Sequence, residues 1–237
     1  MATVVVGGHT RNIGKTSVVA GLIAALPELE WTAFKVTQFG HGICSANGEA
    51  CDCETDAHTV AVTEERSTES GTDSARFLAA GAVRSFWVRT RQGQLAEAMP
   101  RVRKELALAR NAILESNSIV RFLKPDLYLT VLDPAIRDFK PSAQYFLDRA
   151  DAVLWSGGGT AAWCEAIQSH PSLREGWGTR QSGTAETAWP AALLQLARSK
   201  PQFVVQAPAC TSDALTRFVA ERIARDAETA ARTLFRQ

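Results

Sequence analysis

The sequence predicts an α/β fold: a mostly parallel sheet of about seven strands with helices on both faces, in three layers. Three observations predict it. Short β-branched runs alternate with helical patterns along the chain, as in strand–helix crossover units. The first strand runs through a glycine turn straight into an amphipathic helix. A composition of 46% hydrophobic and 22% charged residues over 237 positions suits one sizeable core. Residues 1–237 are therefore expected to form a single domain, with an insertion at about 40–72.

In order, the β-branched run at 2–7 predicts the first strand, and 15–26 the first helix. Val18, Val19, Leu22, Ile23 and Leu26 give that helix an apolar face to lay on the sheet. A second strand is expected at 31–36. The polar stretch 40–72 that follows reads as one long excursion, and loops of that length in a compact domain are commonly functional. Further strands are expected near 84–89, 112–116, 127–132, 152–155 and 202–206. Helices are expected at 73–81, 94–110, 140–149, 185–198 and 212–233, the last opened by the capping cluster Cys-Thr-Ser-Asp. Residues 156–184, rich in Gly, Ser and Thr, form a second irregular region.

The bulk charge excludes some functions. A net charge of +1 gives no global field for nucleic acid or an anionic membrane, and the basic run 101–110 reads as a solvated helix face. The start lacks a secretion signal, and the apolar stretch Ser17–Leu26 is too short to span a bilayer. A cytoplasmic protein with neither nucleic-acid nor membrane partners is the expectation. Five cysteines, an odd count, favour thiols or metal ligands over a disulfide framework.

The chemistry concentrates at residues 7–17, Gly-Gly-His-Thr-Arg-Asn-Ile-Gly-Lys-Thr-Ser. A phosphate cradle needs converging backbone N–H groups, a helix N-terminus behind them, a lysine for the outer phosphates, and a hydroxyl for Mg²⁺. Gly7 and Gly8 let the backbone turn, Gly14 admits close approach, Lys15 supplies the charge and Thr16 the hydroxyl. Gly8, His9, Thr10, Arg11, Asn12, Ile13, Gly14, Lys15, Thr16 and Ser17 are the expected nucleotide contacts. Five residues, rather than the common four, separate Gly8 from Gly14, and His9 stands at the usual first-glycine position.

That longer loop resembles the one in dethiobiotin synthetase and its cobyrinate-amidase relatives, a branch of the P-loop NTPases. A second set of motifs, Ala-Phe-Lys-Val-Thr-Gln-Phe-Gly-His-Gly at 33–42, Gly-Thr-Asp-Ser-Ala-Arg-Phe-Leu-Ala-Ala-Gly-Ala at 71–82 and Ala-Ile-Leu-Glu-Ser at 112–116, resembles the molybdopterin-guanine dinucleotide adaptor GTPases. The likeness covers roughly the first half of the chain, and Val36-Thr37 stands where those adaptors carry histidine. It implies a P-loop NTPase fold, with Lys35 and Asp73 near the γ-phosphate.

Ligands of such sheets sit at the C-terminal strand ends, where Glu115, Asp133 and Asp73 fall. Mg²⁺ needs only a hydroxyl and one or two carboxylates. The dethiobiotin synthetase likeness selects Glu115 with Thr16, making Lys15, Lys35 and Glu115 the expected catalytic set. Arg11 could neutralise developing charge from within the loop. Gln206, at the end of the last strand, is a candidate base contact, with ATP and GTP equally admissible.

His41, Cys44, Cys51, Cys53 and His58 crowd into eighteen residues. Thiolates and imidazoles at such spacing are the usual makings of a Zn²⁺ or Fe–S site, against the alternative of free thiols in a polar loop. Cys164 and Cys210 read as small buried apolar residues, and Trp87, Trp155 and Trp163 as core or crevice wall.

Three functions follow as expectations. The first is Mg²⁺-dependent nucleoside triphosphate binding and hydrolysis, with a metal-binding loop, in cofactor biosynthesis or metal delivery. The second is an ATP-dependent ligase or kinase acting on a small-molecule acceptor near Lys35. The third is a nucleotide-gated metal carrier or adaptor that binds a partner protein. A homodimer is one expected assembly.

Overall fold

A computed structural model describes residues 1–39, 60–136, 138–156 and 189–234. Eight strands form one sheet: β1 Thr3–Gly8, β2 Trp31–Phe39, β3 Val60–Glu65, β4 Arg84–Arg91, β5 Asn111–Glu115, β6 Leu127–Leu132, β7 Ala152–Trp155 and β8 Gln202–Val204. Their order is β3-β4-β2-β5-β1-β6-β7-β8, parallel throughout except for the antiparallel β3–β4 pair. The helices are α1 Lys15–Ala25, α2 Asp73–Ala79, α3 Leu95–Ala107, α4 Pro141–Phe146, α5 Ala191–Arg198 and α6 Asp213–Leu234.

Every residue of β1, β5, β6 and β7 is buried, because helices cover both faces of the sheet. On one face Val4, Val6, Ala33 and Ile113 meet Val18, Val19, Leu22 and Ile23 of α1, with Leu215, Val219 and Ile223 of α6. On the other, Phe34, Phe86, Val88 and Leu114 meet Leu95, Met99, Val102 and Leu106 of α3. A smaller cluster joins Trp155 and Val153 to Trp189, Leu194 and Ala197 beside α5. The three-layer α/β/α architecture is the one expected from the sequence.

Strand order positions the site. β1 lies between β5 and β6, while the chain leaving β1 through α1 arrives at β2, beyond β5. The chain leaving the adjacent β6 goes the other way, to β7, so connections diverge between β1 and β6, the switch point beyond whose C-terminal strand ends such sheets hold ligands.

Several boundaries differ from expectation. The polar excursion is shorter than 40–72, because Val60–Glu65 adds an eighth strand on β4. Val60 and Val62 alternate onto the α3 face, with Val62 buried there. Two valines among polar residues are too brief a pattern to stand out from the surrounding loop. β2 runs three residues past the expected end at 36, held by β4 as far as Phe39–Arg91. The helix expected at 140–149 is a short α4 and a 3₁₀ turn at Leu147–Arg149. α5 starts only after Pro190, whose ring fixes the first turn.

Candidate functional site

The loop after β1 is built by close approach at one glycine and a left-handed turn at another. A Cβ on Gly8 would lie 2.7 Å from the Ile13 side chain and 2.9 Å from that of Lys15, so the loop folds back over a bare backbone. Gly7 and Gly8 are both strand residues of β1, so their part is to permit close approach and not to turn the chain. Gly14 has φ 89° and opens into space, the conformation glycine adopts without strain. Asn12, at φ 55°, makes the other left-handed step.

Contacts from four later segments hold the loop. The Asn117 side chain accepts from the Gly8 N–H and donates to the Gly8 carbonyl, both at 2.7 Å. The His9 N–H donates to the Val131 carbonyl at 3.1 Å, and the Lys140 N–H to the His9 carbonyl at 2.8 Å. The Thr10 hydroxyl donates to Asp138, and the Ser156 hydroxyl to the Ile13 carbonyl. Ile13 itself is buried in the core. The fifth intervening residue is thus accommodated by anchoring both arms of the loop.

His9 is fully buried against Phe139 and Trp189, with ring centroids 5.2 and 4.9 Å away. Its Nδ1 faces the Asp133 N–H at 3.4 Å, while Nε2 has no partner. Burial lowers its pKa, so the ring is neutral and acts as a packing element under the loop. Asp133, half-buried, is a local turn acceptor, receiving the Ala135 N–H at 3.0 Å.

α1 begins at Lys15 with no side-chain cap and no acidic residue in its first turn. The orphan N–H groups and the positive end of the helix dipole are left for an anion. Beside them the Lys15 ammonium donates to the Thr10 carbonyl at 2.5 Å. Burial pushes its pKa down to about 8, with Lys140 and Lys35 adding to the effect and Glu115 opposing it. Burial and nearby Arg11 also depress Lys140.

On the other side of α1 the expected residues meet. Thr16 Oγ1 donates to Glu115 Oε2 at 2.7 Å, and Glu115 is 3% exposed. Lys35 Nζ lies 2.7 Å from Glu115 Oε1, 2.6 Å from Asp73 Oδ2 and 3.3 Å from Thr16 Oγ1. Burial works against that ammonium, but Glu115 and Asp73 outweigh it and raise its pKa. Arg76, not anticipated from the sequence, donates to Ser17 Oγ at 3.1 Å and lies 3.6 Å from Asp73.

These oxygens suit a hard divalent cation. Thr16 Oγ1, Glu115 and Asp73 already surround one positive charge, the Lys35 ammonium, and oxygen donors are what Mg²⁺ takes. Among the described residues no group of three His, Cys, Asp or Glu side chains forms a further metal cluster. His41, Cys44, Cys51, Cys53 and His58 lie outside the described residues, as do Trp163 and Cys164. Arg11 is half-buried in the loop and Gln206 is exposed. Trp155 is core, Trp87 is half-buried, and Cys210 is half-buried at φ 50°.

Asn117, Asp138, Lys140 and Ser156 carry no sequence signal of their own. Each meets the loop from more than a hundred residues away, or from a connection whose course only the sheet order fixes.

No family model matches the chain, and no curated protein matches it significantly. Among solved structures it is similar to HypB from Helicobacter pylori in complex with nickel, at 14% identity and TM-score 0.47, covering 95% of this chain and 88% of that one. It is also similar to the "apo" form of LpxK from Aquifex aeolicus in complex with ATP, at 16% identity and TM-score 0.41. That alignment covers 86% of this chain and 53% of LpxK, so the chain spans about half of LpxK's length. Likeness at these levels carries nothing about what the chain binds. Among the described residues no helix is long and apolar enough to cross a membrane.

Proposed function

We propose that the chain binds a nucleoside triphosphate with Mg²⁺ at Gly8–Ser17 and hydrolyses it. One observation carries the reading: the uncapped start of α1 faces the Lys15 ammonium, with the Thr16–Glu115–Lys35–Asp73 cluster beside it.

The first-turn N–H groups would take the β-phosphate oxygens, and Lys15 would exchange the Thr10 carbonyl for the outer phosphates. Thr16 and Glu115 would hold Mg²⁺, which would supply neutralisation of the polyphosphate's negative charge. Lys35, kept charged by its two carboxylates, is suited to neutralise an oxyanion on the γ side. Catalysis of this kind is mostly positioning and electrostatics, and hydrogen bonds and ion pairs already bring these groups together.

A second reading, phosphoryl transfer to a small-molecule acceptor, is favoured by Lys35. Its side chain projects from the sheet itself, on a face that continues past the phosphate end along β2 and β4.

Replacing Lys15 with Ala tests the nucleotide site. Affinity for ATP and GTP with Mg²⁺, measured by calorimetry, should fall at least a hundredfold; undiminished affinity overturns the proposal. Turnover by the parent protein without added acceptor supports hydrolysis. Turnover that requires a small acid or alcohol supports transfer.

A further inference from the structure

Side chains two apart on a strand share a face, so Lys35 and Thr37 of β2 lie on one surface with Trp87 and Arg89 of β4 and Thr63 of β3. The cross-strand contacts agree: Trp87 Nε1 donates to Thr37 Oγ1 at 3.1 Å, and Arg89 to Thr63 Oγ1 at 3.4 Å. The start of α2 is fastened one step lower. Thr72 and Ser74 donate to Glu65, which pairs with Ser85, whereas Thr63 pairs with Trp87. Among the described residues the face therefore continues beyond α2 as a shelf leading away from Lys35.

Arg89 is the unusual group on that shelf. Its guanidinium lies 4.6 Å over the Trp87 ring, which holds it flat, and no carboxylate pairs with it among the described residues. Its Nε is buried without an acceptor, and among the described residues its one hydrogen bond, to Thr63, is long. A buried guanidinium donor costs free energy until an acceptor arrives. A planar guanidinium fork matches the two oxygens of a carboxylate or phosphate. Arg89 stands opposite Thr37, one two-residue step beyond Lys35 on the neighbouring strand. That separation is roughly 8 Å from strand spacing and rise, the length of a small molecule.

We propose that this shelf is the acceptor site: Arg89, supported by Trp87 and Thr63, anchors the oxyanion of a small carboxylate or phosphate ester whose other end reaches Lys35. The proposal rests on the nucleotide reading above, since Lys35 marks the γ side only if a triphosphate occupies the loop. Trp87 is a positioning residue here, and its role is to keep the guanidinium flat.

The test uses the full chain loaded with Mg²⁺ and a non-hydrolysable triphosphate, so that anions cannot simply fill the phosphate loop. Loading is measured first; a protein that takes up no nucleotide defeats both proposals. The loaded protein is then titrated calorimetrically with glutarate and with glycerol phosphate. At least one should bind, and the arm that does identifies carboxylate or phosphate. Arg89→Gln should weaken it tenfold or more, and Arg89→Lys, which keeps the charge without the fork, severalfold. Thermal melts establish that both variants fold, and Arg89→Lys serves alone if Arg89→Gln does not. Loaded protein that binds neither probe, or variants that bind as well as the parent, overturn the shelf while leaving the nucleotide site intact.

Discussion

Lys15 is where burial and charge compete most directly. Burial penalises its ammonium and holds its pKa down to about 8. A polyphosphate favours the ammonium and restores a higher value, so binding above pH 8 takes up a proton. Affinity should therefore be flat below about pH 7 and fall as pH climbs past 8, by up to about tenfold per unit. Calorimetry at pH 8.5 in buffers of different ionisation enthalpy reads the uptake; none would contradict the assignment. Residue identity and spacing made Lys15 and Thr16 legible, because a cradle demands particular chemistry at particular places, whereas Lys35, Asp73 and Glu115 were singled out through the family resemblances. Arg89 and Lys140 were not legible. An arginine on a strand is unremarkable until its cross-strand neighbours are known, and Lys140 meets the loop only through folding of the β6–α4 connection.

Among the elements, α2 matters most to the site, and it is fixed by its cap. Thr72 accepts the Ala75 N–H, and Glu65 accepts from the Thr72, Ser70 and Ser74 hydroxyls and the Arg66 and Ser67 N–H groups. Burial opposes the charge on Glu65, but these donors overcome it and hold its pKa down to about 2. A depressed carboxylate stabilises the fold above its ordinary value of 4.5 and loses that contribution as pH falls toward 2. Thr72→Ala removes the cap and should cost about 1 kcal/mol. Because Asp73 follows directly and pairs with Lys35, turnover should drop as well. Denaturant melts with steady-state rates check both; a variant with full stability and full rate would refute the cap's role. The helix was legible from its Gly-Thr-Asp-Ser start. The strand that supplies Glu65 was not, since it alternates over only two valines and its partner β4 lies after α2 in sequence.

Across the whole molecule, the sheet's strand order explains why chemistry collects beyond β1. Connections part between it and β6, and Glu115 on β5, Lys35 on β2 and the β6–α4 segment all end beside the same loop. Layer architecture was legible because buried parallel strands read as continuous β-branched runs. The order of those strands was not, because it depends on pairing between segments far apart in the chain. A ligand gripped at this convergence stabilises the whole fold by mass action, about 2.7 kcal/mol at a hundred times its Kd. For a chain of this size each kcal/mol raises Tm by roughly 2–4 °C. Thermal melts of the parent protein and of Lys15→Ala, with and without Mg²⁺ and each of ATP, GTP, ADP and GDP, are the most direct test. At least one triphosphate with Mg²⁺ should raise the parent's Tm by roughly 5–10 °C and leave the variant unmoved. A parent protein whose Tm responds to no nucleotide, or a variant that responds equally, would contradict the claim that this loop holds a polyphosphate.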